Sequence, residues 1–142
     1  MRPSKGDFSN GISAYQQFGV RTEIESASPH KLIKMLIDGA LTNIRVARRC
    51  IEQGDIVGKC ENIDWSMAII GGLRGSLNFE SGGVIAENLD GLYEYSCKQL
   101  ALANARGDVA LLDEVLSLLG EIKQGWDGIE PVGEQPPAAV AL

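Results

Sequence analysis

The chain has 142 residues, a length typical of a single domain, and 44% of them are hydrophobic. That fraction is too high for a chain that is disordered throughout, and the charged residues interrupt every apolar run before it reaches membrane-spanning length. Nineteen acidic residues against thirteen basic ones give a formal charge of -6. This balance argues against a nucleic-acid-binding protein, because such domains present a basic patch to the phosphates.

The cysteines point to a reducing compartment. Cys50, Cys60 and Cys97 cannot all pair, and no two of them form a Cys-x-x-Cys motif. With a single histidine in the chain, they do not resemble a zinc site, and we expect reduced thiols. The N-terminal residues lack the apolar run of a secretory signal. The sequence therefore predicts a cytoplasmic protein.

The N-terminal region divides into a tail and a short amphipathic segment. Residues 1–10 are polar and are predicted to be a flexible tail, and the main domain is predicted over residues 11–129. Its first part, residues 11–18, is predicted to form a short helix that carries Ile12, Tyr15 and Phe18 on one side.

A first long helix is predicted over residues 29–53. Ser28 is a preferred N-cap, because its side-chain oxygen accepts a hydrogen bond from the first turn, and Pro29 fits the first helical position. Apolar residues then recur at alternating spacings of four and three, forming one seam: Ile33, Ile37, Ala40, Ile44, Ala47 and Ile51. Such a seam predicts a packing surface.

Two Gly-Asp pairs and one Gly-Gly pair mark the remaining turns. In Gly54-Asp55 and Gly107-Asp108, glycine suits the left-handed position that ends a helix and aspartate suits the next N-cap. Gly82-Gly83 marks the other break. We expect a second helix over residues 56–78, a third after the Gly-Gly break, and a fourth that fades after Gly128.

Each of these helices has an apolar seam, and the chain then loses its periodicity. The three predicted seams are Ile56, Cys60, Ile63, Met67, Ile70 and Leu77; Ile85, Leu89, Leu92, Ser96, Leu100 and Ala103; and Leu112, Val115, Leu119, Ile122 and Trp126. Residues 130–142 are rich in Pro, Gly and Ala and are predicted to be a disordered tail.

Short connections between long helices force neighbouring helices to run antiparallel. The predicted fold is therefore all-α, an antiparallel up-down four-helix bundle with the short N-terminal helix packed on it. Several helices carry more apolar residues than a bundle interior needs, namely Leu32, Met35, Leu36, Val109, Leu111, Leu116 and Leu118. This surplus either broadens the core or faces a partner helix.

The sequence offers no convincing set of catalytic or metal-binding residues. Ser28-Pro29-His30-Lys31 matches the Ser-x-x-Lys pattern of serine acylases by letters, but the partner motifs S-D-N and K-T-G are absent. His30 is the only histidine and no Glu lies three residues before it, so the paired E-x-x-H motifs of di-metal bundles are missing as well. We therefore expect no enzyme, no metal site and no cofactor.

Several segments in order resemble the flagellar secretion chaperone family, FliS. The matching segments are residues 14–17 (Ala-Tyr-Gln-Gln), 28–33, 35–40, 51–55, 69–73, 76–77 and 86–93. The likeness as a whole covers about residues 12–129, which is nearly the whole chain outside its predicted tails. The strength of this likeness lies in the order and spacing of the segments.

The resemblance implies a cytoplasmic chaperone that binds the C-terminal segment of newly made flagellin. It further implies that the chaperone prevents premature polymerisation and assists delivery to the flagellar type III export apparatus. The export gate and a co-chaperone are further candidate partners, whereas nucleic acid and membrane insertion are not expected. In this interpretation the flagellin segment becomes helical on an apolar groove. The predicted partner-binding residues are Ile12, Tyr15, Leu32, Leu36, Ile37, Ala40, Leu73 and Leu77.

Two alternatives remain open from the residues themselves. One is a helical adaptor for another secretion substrate. The other is a histidine phosphotransfer-type bundle, which would use His30; in such bundles, however, the histidine is exposed in mid-helix, whereas His30 lies beside a capping Ser-Pro.

Overall fold

The computed structural model describes residues 28–128, and within that range the chain forms four α-helices. They are α1 (Pro29–Gln53), α2 (Ile56–Gly75), α3 (Phe79–Arg106) and α4 (Val109–Asp127). Helices α1 and α2, α2 and α3, α3 and α4, and α4 and α1 pack against each other, which closes a four-membered ring. The prediction of an all-α helical bundle is confirmed.

Some predicted elements fall outside this range. The tail at residues 1–10, the short helix with Ile12 and Tyr15, and the tail at residues 130–142 lie outside the described residues.

The predicted caps are found where local chemistry placed them. The Ser28 hydroxyl accepts a hydrogen bond from the backbone N–H of Lys31 at 3.2 Å, and Pro29 opens α1. Gly54 and Gly107 end α1 and α3 with φ of 74° and 61°, in the left-handed region that glycine adopts without a Cβ penalty. These turns are too short to let consecutive helices run parallel.

The core lies along the axis of the ring and receives side chains from all four helices. Ten of the buried apolar residues are Ile33, Leu36, Ile37, Ile44, Ile63, Ile69, Ile70, Leu100, Leu112 and Leu119. The interface between α1 and α2 is the most extensive of the four. Ser66 is fully buried there, and its hydroxyl donates to the carbonyl oxygen of Asn62 at 2.9 Å, so the buried polar group is satisfied.

Two predicted seams are wrong in part. Ile56 and Ile85 were expected in the core, but their side chains are 68% and 62% exposed, and Leu92 is exposed at 36%. The inward face of α3 instead carries Ala86, Tyr93, Ser96, Leu100 and Ala103. At about 100° per residue, Ile85 and Leu92 are rotated away from this face by roughly a quarter of a turn. On this inward face Tyr93 and Leu100 fill the core, while the small residues Ala86, Ser96 and Ala103 let the α3 backbone approach it.

The predicted end of α2 and the break after it are also displaced. Helix α2 ends at Gly75 rather than near residue 78, because Asn78 caps the next helix by accepting from the backbone N–H groups of Glu80 and Ser81. The break predicted at Gly82-Gly83 is a kink within α3. Gly83 has φ 53° and ψ −128°, a conformation that L-residues rarely adopt.

Candidate partner-binding surface

The structure divides the predicted partner-binding residues into three groups. Leu36, Ile37, Ala40 and Leu73 are buried in the core, with at most 1% of each residue exposed. Leu32 and Leu77 are half-buried and pack against the core from its edge. Ile12 and Tyr15 lie outside the described residues. With the helices packed in this way, the four core residues hold α1 and α2 together, and their contact with a partner remains a prediction.

A reciprocal contact ties the start of α1 to the end of α4. The indole N–H of Trp126 donates to the carbonyl oxygen of His30 at 2.9 Å, and His30 Nε2 lies 3.0 Å from the carbonyl oxygen of Trp126. The two rings also stack, with centroids 5.0 Å apart and planes inclined by 13°. His30 is therefore engaged in a structural contact in the first turn of α1, unlike an exposed mid-helix phosphotransfer histidine.

Ion pairs continue this link along the rest of the α1–α4 seam. Lys34 pairs with Asp127 at 3.2 Å, Lys123 with Asp38 at 2.7 Å, and Arg48 with Asp113 at 2.8 Å. These side chains are partly exposed, so each pair adds little stability by itself. Together they nevertheless make the α1–α4 side of the bundle polar and join the two helices at three places.

One charge cluster and one hydrogen-bonded carboxylate hold α3 to its neighbours. Arg74 of α2 pairs with both Asp90 and Glu94 of α3. On the other side, Glu114 of α4 accepts from the Tyr95 hydroxyl at 2.7 Å and from the Gln99 amide at 2.8 Å. The hydrogen bonds from Gln99 and Tyr95 lower the pKa of the Glu114 carboxyl, because they favour its charged form.

The large apolar side chains that remain exposed are concentrated on two helices. Ile56 and Val57 lie on the first turn of α2, each 68% exposed. On α3, Val84 and Ile85 follow the Gly83 kink at 69% and 62% exposure, and Phe79, Leu92 and Tyr95 are exposed as well. Apolar groups grouped on a surface mark interaction sites more often than scattered ones do. The apolar surplus expected on α1 and α4 thus lies mainly on α3.

Sequence reasoning missed this surface for an identifiable reason. Two adjacent rows of α3 fit a helical apolar period, one through Ile85 and Leu92 and the other through Ala86 and Tyr93. The larger aliphatic residues favoured the first row as the core. The available signal was the row of small residues at Ala86, Ser96 and Ala103, whose spacing marks a close helix contact.

The cysteines and a small cavity provide no reactive centre. A cavity of about 120 Å³ lies between the α1–α2 and α3–α4 turns, lined by Cys50, Ile51, Gly54, Asp55, Ile56, Lys59 and Gly107. Its lysine ammonium donates to the carbonyl oxygen of Asn104 at 2.8 Å, and its aspartate caps α2 through the N–H of Gly58. Burial raises the pKa of the Cys97 thiol to about 11, which makes this thiol a poor nucleophile near neutral pH.

The described part of the chain contains neither a metal-binding cluster nor a membrane-spanning helix. Among residues 28–128, no three His, Cys, Asp or Glu side chains are grouped so as to hold a metal ion. Over the same residues, no helix has both the length and the apolar character needed to cross a bilayer.

Comparison with known proteins decides the family. The family model described as flagellar protein FliS matches residues 11–133, which extends beyond the four helices at both ends. The chain belongs to the FliS family. The resemblance seen in the sequence is thereby confirmed, and the family is one of secretion chaperones rather than enzymes.

Relatives from three bacteria show how far the similarity extends. The flagellar secretion chaperone FliSB of Pseudomonas aeruginosa is 46% identical over 118 residues, covering 83% of this chain and 94% of the relative. FliS of Salmonella typhimurium is 45% identical over 123 residues, covering 86% and 91% of the two chains. FliS of Bacillus subtilis is 32% identical over 117 residues, covering 82% and 84%. The likeness therefore covers nearly the full length of the relatives.

Proposed function

We propose that this protein is a cytoplasmic export chaperone that binds the C-terminal segment of flagellin. In this role it prevents premature polymerisation and assists delivery of the subunit to the flagellar type III export apparatus. The observation that carries the proposal is membership of the FliS family over nearly the whole chain, since the relatives are named flagellar secretion chaperones. The exposed apolar side chains on α2 and α3 provide physical support.

The mechanism is exchange of apolar contacts. A flexible guest segment loses conformational entropy when it becomes ordered on the bundle. Burial of its apolar face against the exposed side chains offsets that loss at roughly 25 cal/mol per Å² of apolar area removed from water. While the segment is bound, the same face is unavailable to other flagellin subunits, and filament growth stops.

The proposal includes the residues predicted from the sequence. Leu32 and Leu77 lie at the edge of the core, where a guest helix could add to their burial. Tyr15 either covers the groove or contacts the guest. A Tyr15→Ala variant is therefore expected to bind the flagellin segment with altered affinity or kinetics, and unchanged values for both would remove Tyr15 from the surface.

Calorimetric titration tests the proposed partner. The full chain is titrated with a peptide comprising the last few dozen residues of the organism's flagellin, and a peptide of the same composition in scrambled order serves as control. We expect saturable binding of the first peptide, with a negative heat-capacity change from apolar burial. Flagellin polymerisation followed by light scattering should stop when equimolar chaperone is added. No binding, or undiminished polymerisation, would refute the proposal.

A chaperone for a different secretion substrate is the alternative, and a pull-down distinguishes it. Flagellin should be the dominant protein captured from a lysate of the source organism. Capture of a different exported protein, together with failure of the flagellin peptide to bind, would favour the alternative.

A further inference from the structure

The outer face of α1 carries basic residues that no carboxylate of residues 28–128 neutralises, and we call Lys31, Arg45 and Arg49 the α1 cation row. All three are exposed, and none forms an ion pair within that range. Lys31 and Arg49 each lie nine residues, two and a half helical turns, from the buried Ala40, so both lie on the side of α1 opposite the core. Arg45 lies one turn before Arg49, and the row is about 27 Å long at 1.5 Å per residue.

This row contrasts with the charge of the helices on the other sides of the bundle. Helix α1 has five basic and two acidic residues, whereas α3 has two basic and four acidic residues and α4 has one basic and four. The other two basic residues of α1 are already paired, Lys34 with Asp127 and Arg48 with Asp113. Both acidic residues of α1 are paired as well. Charge complementarity therefore favours an acidic occupant on the outer face of α1.

The chain itself supplies an acidic segment beside this face. Residues 129–142 contain two glutamates and no basic residue, whereas residues 1–27 contain three residues of each sign. The acidic segment starts where α4 ends, and hydrogen bonds between His30 and Trp126 hold that end of α4 to the first turn of α1. The family model matches residues 11–133, so most of the acidic segment lies beyond the match.

The length of the segment agrees with the spacing of the basic residues. Its three prolines favour an extended polyproline conformation, which rises about 3.1 Å per residue. On this rise Glu130 lies about 6 Å beyond Gly128, and Glu134 lies about 19 Å beyond it. Along α1, Lys31 lies beside the end of α4, and Arg45 lies about 21 Å further on. A segment that turns back after α4 and follows α1 thus brings each carboxylate within side-chain reach of one cation.

We propose that residues 129–142 dock along the outer face of α1 as an acidic strap, with Glu130 beside Lys31 and Glu134 beside Arg45. The prolines reduce the conformational entropy that the segment loses on docking, and its attachment to α4 makes the contact intramolecular. Exposed ion pairs are weak, so salt releases the strap. In the docked state the strap shields the α1 cation row from other anionic partners. This assignment replaces the disordered tail expected from the sequence and does not depend on the proposed function.

Charge reversal at one pair tests the strap. In the full isotope-labelled chain, NMR relaxation gives an order parameter for each backbone N–H, about 0.85 in a rigid backbone and below about 0.6 in a flexible one. At low salt, residues 130–135 of the unmodified chain should have order parameters above about 0.6. Arg45→Glu and Glu134→Lys should each lower these values below about 0.6. The double variant restores a pair of opposite charges and should raise them again.

A charge reversal elsewhere provides the matched control. Arg106 is exposed at the end of α3 and has no ion-pair partner among the described residues, so Arg106→Glu changes the net charge by the same amount as Arg45→Glu. This variant should leave the order parameters of residues 130–135 unchanged. About half-molar salt should lower them in the unmodified chain, because the Debye length falls to a few ångströms. Circular dichroism verifies that every variant remains folded.

Other occupants of the α1 cation row give different results. If residues 130–135 are flexible in the unmodified chain at low salt, or equally ordered in Arg45→Glu, the strap is overturned. If their order disappears on dilution, the segment docks on a second copy of the chain, which also overturns it. If a poly-glutamate peptide binds through Arg45 while these residues remain flexible, the row is a dock for an external acidic partner and the strap is again overturned. None of these results changes the test of flagellin binding.

Discussion

The kink at Gly83 allows a sharp test of the α3 backbone. Gly83 has φ 53° and ψ −128°, and a Cβ built at this position meets no atom within 4 Å. Gly91 lies two turns further along the same helix with ordinary helical geometry, and its Cβ also meets nothing within 4 Å. An alanine at either site therefore differs only in the backbone conformation it must adopt.

The expected effects have opposite signs. At Gly83, alanine must occupy a region that is essentially reserved for glycine, at about 1–3 kcal/mol, offset by roughly 0.4–1 kcal/mol from the lower entropy of the unfolded chain. At Gly91, alanine should stabilise the helix by about 0.5–1 kcal/mol. The free energy of unfolding should thus differ between Gly83→Ala and Gly91→Ala by about 2 kcal/mol.

Urea unfolding followed by far-ultraviolet circular dichroism measures this difference, provided that the denaturant slopes of the two variants agree. In thermal unfolding, Gly83→Ala should melt several degrees below Gly91→Ala. If the two variants are equally stable, or Gly83→Ala is the more stable, α3 runs through residue 83 without the kink. In that case Val84 and Ile85 would leave the helix in directions other than those that the kinked backbone gives them.

Three further predictions concern contacts between and within helices. His30→Ala should lower the free energy of unfolding by about 1–2 kcal/mol and change Trp126 fluorescence, because the stacked ring and one hydrogen bond are lost; unchanged fluorescence would contradict the contact. Glu114 has a lowered pKa in the folded state, so its charged form contributes stability above about pH 4.5 that disappears as the pH falls through the folded pKa. The stability difference between the unmodified protein and Glu114→Gln should accordingly be largest near neutral pH and vanish in acid, and a difference independent of pH would be inconsistent with the hydrogen bonds. Cys97 should react with a disulfide reagent near pH 8 far more slowly in the native protein than in urea, since burial raises its pKa to about 11; equal rates would show that the thiol is accessible.

Local chemistry explains which parts of the fold were predictable. Ser28, Gly54 and Gly107 act through hydrogen bonds and dihedral angles within a few residues, so their roles follow from the sequence nearby. The link between His30 and Trp126 joins residues 96 positions apart, and no local pattern indicates it. The family resemblance succeeded for a different reason, since it compares the order of many segments at once.

The partner-binding residues were harder to predict from the sequence than the helix caps, because the burial of a side chain depends on how the whole bundle is assembled. Leu36 and Ile37 looked like surplus or groove residues on a wide apolar helix, but α2 and α4 both pack on α1 and cover them. Ile85 and Leu92 looked like core residues, but Ala86 and Tyr93, each one position further along α3, face the interior instead. In each case the periodicity identified an apolar helix correctly and left its rotation about its own axis undetermined by roughly one residue.

Ion pairs, hydrogen bonds and buried contacts are distributed unevenly among the four helices, and α3 differs from α1 in how it is held. The α1–α4 seam has three ion pairs and the His30–Trp126 contact, and the α1–α2 seam has the largest interface. Beside Tyr93 and Leu100, α3 buries mainly small residues (Gly82, Ala86, Ser96 and Ala103), so its burial contributes less free energy per turn than that of α1. On the proposed function, a guest helix seated on the exposed apolar side chains of α3 would add the apolar burial that α3 lacks. By linkage, binding should therefore stabilise α3 more than α1. Amide hydrogen exchange measures this directly: protection should rise most in α3 when the flagellin peptide is added, and an increase confined to α1 and α2 would place the guest on the other side of the bundle.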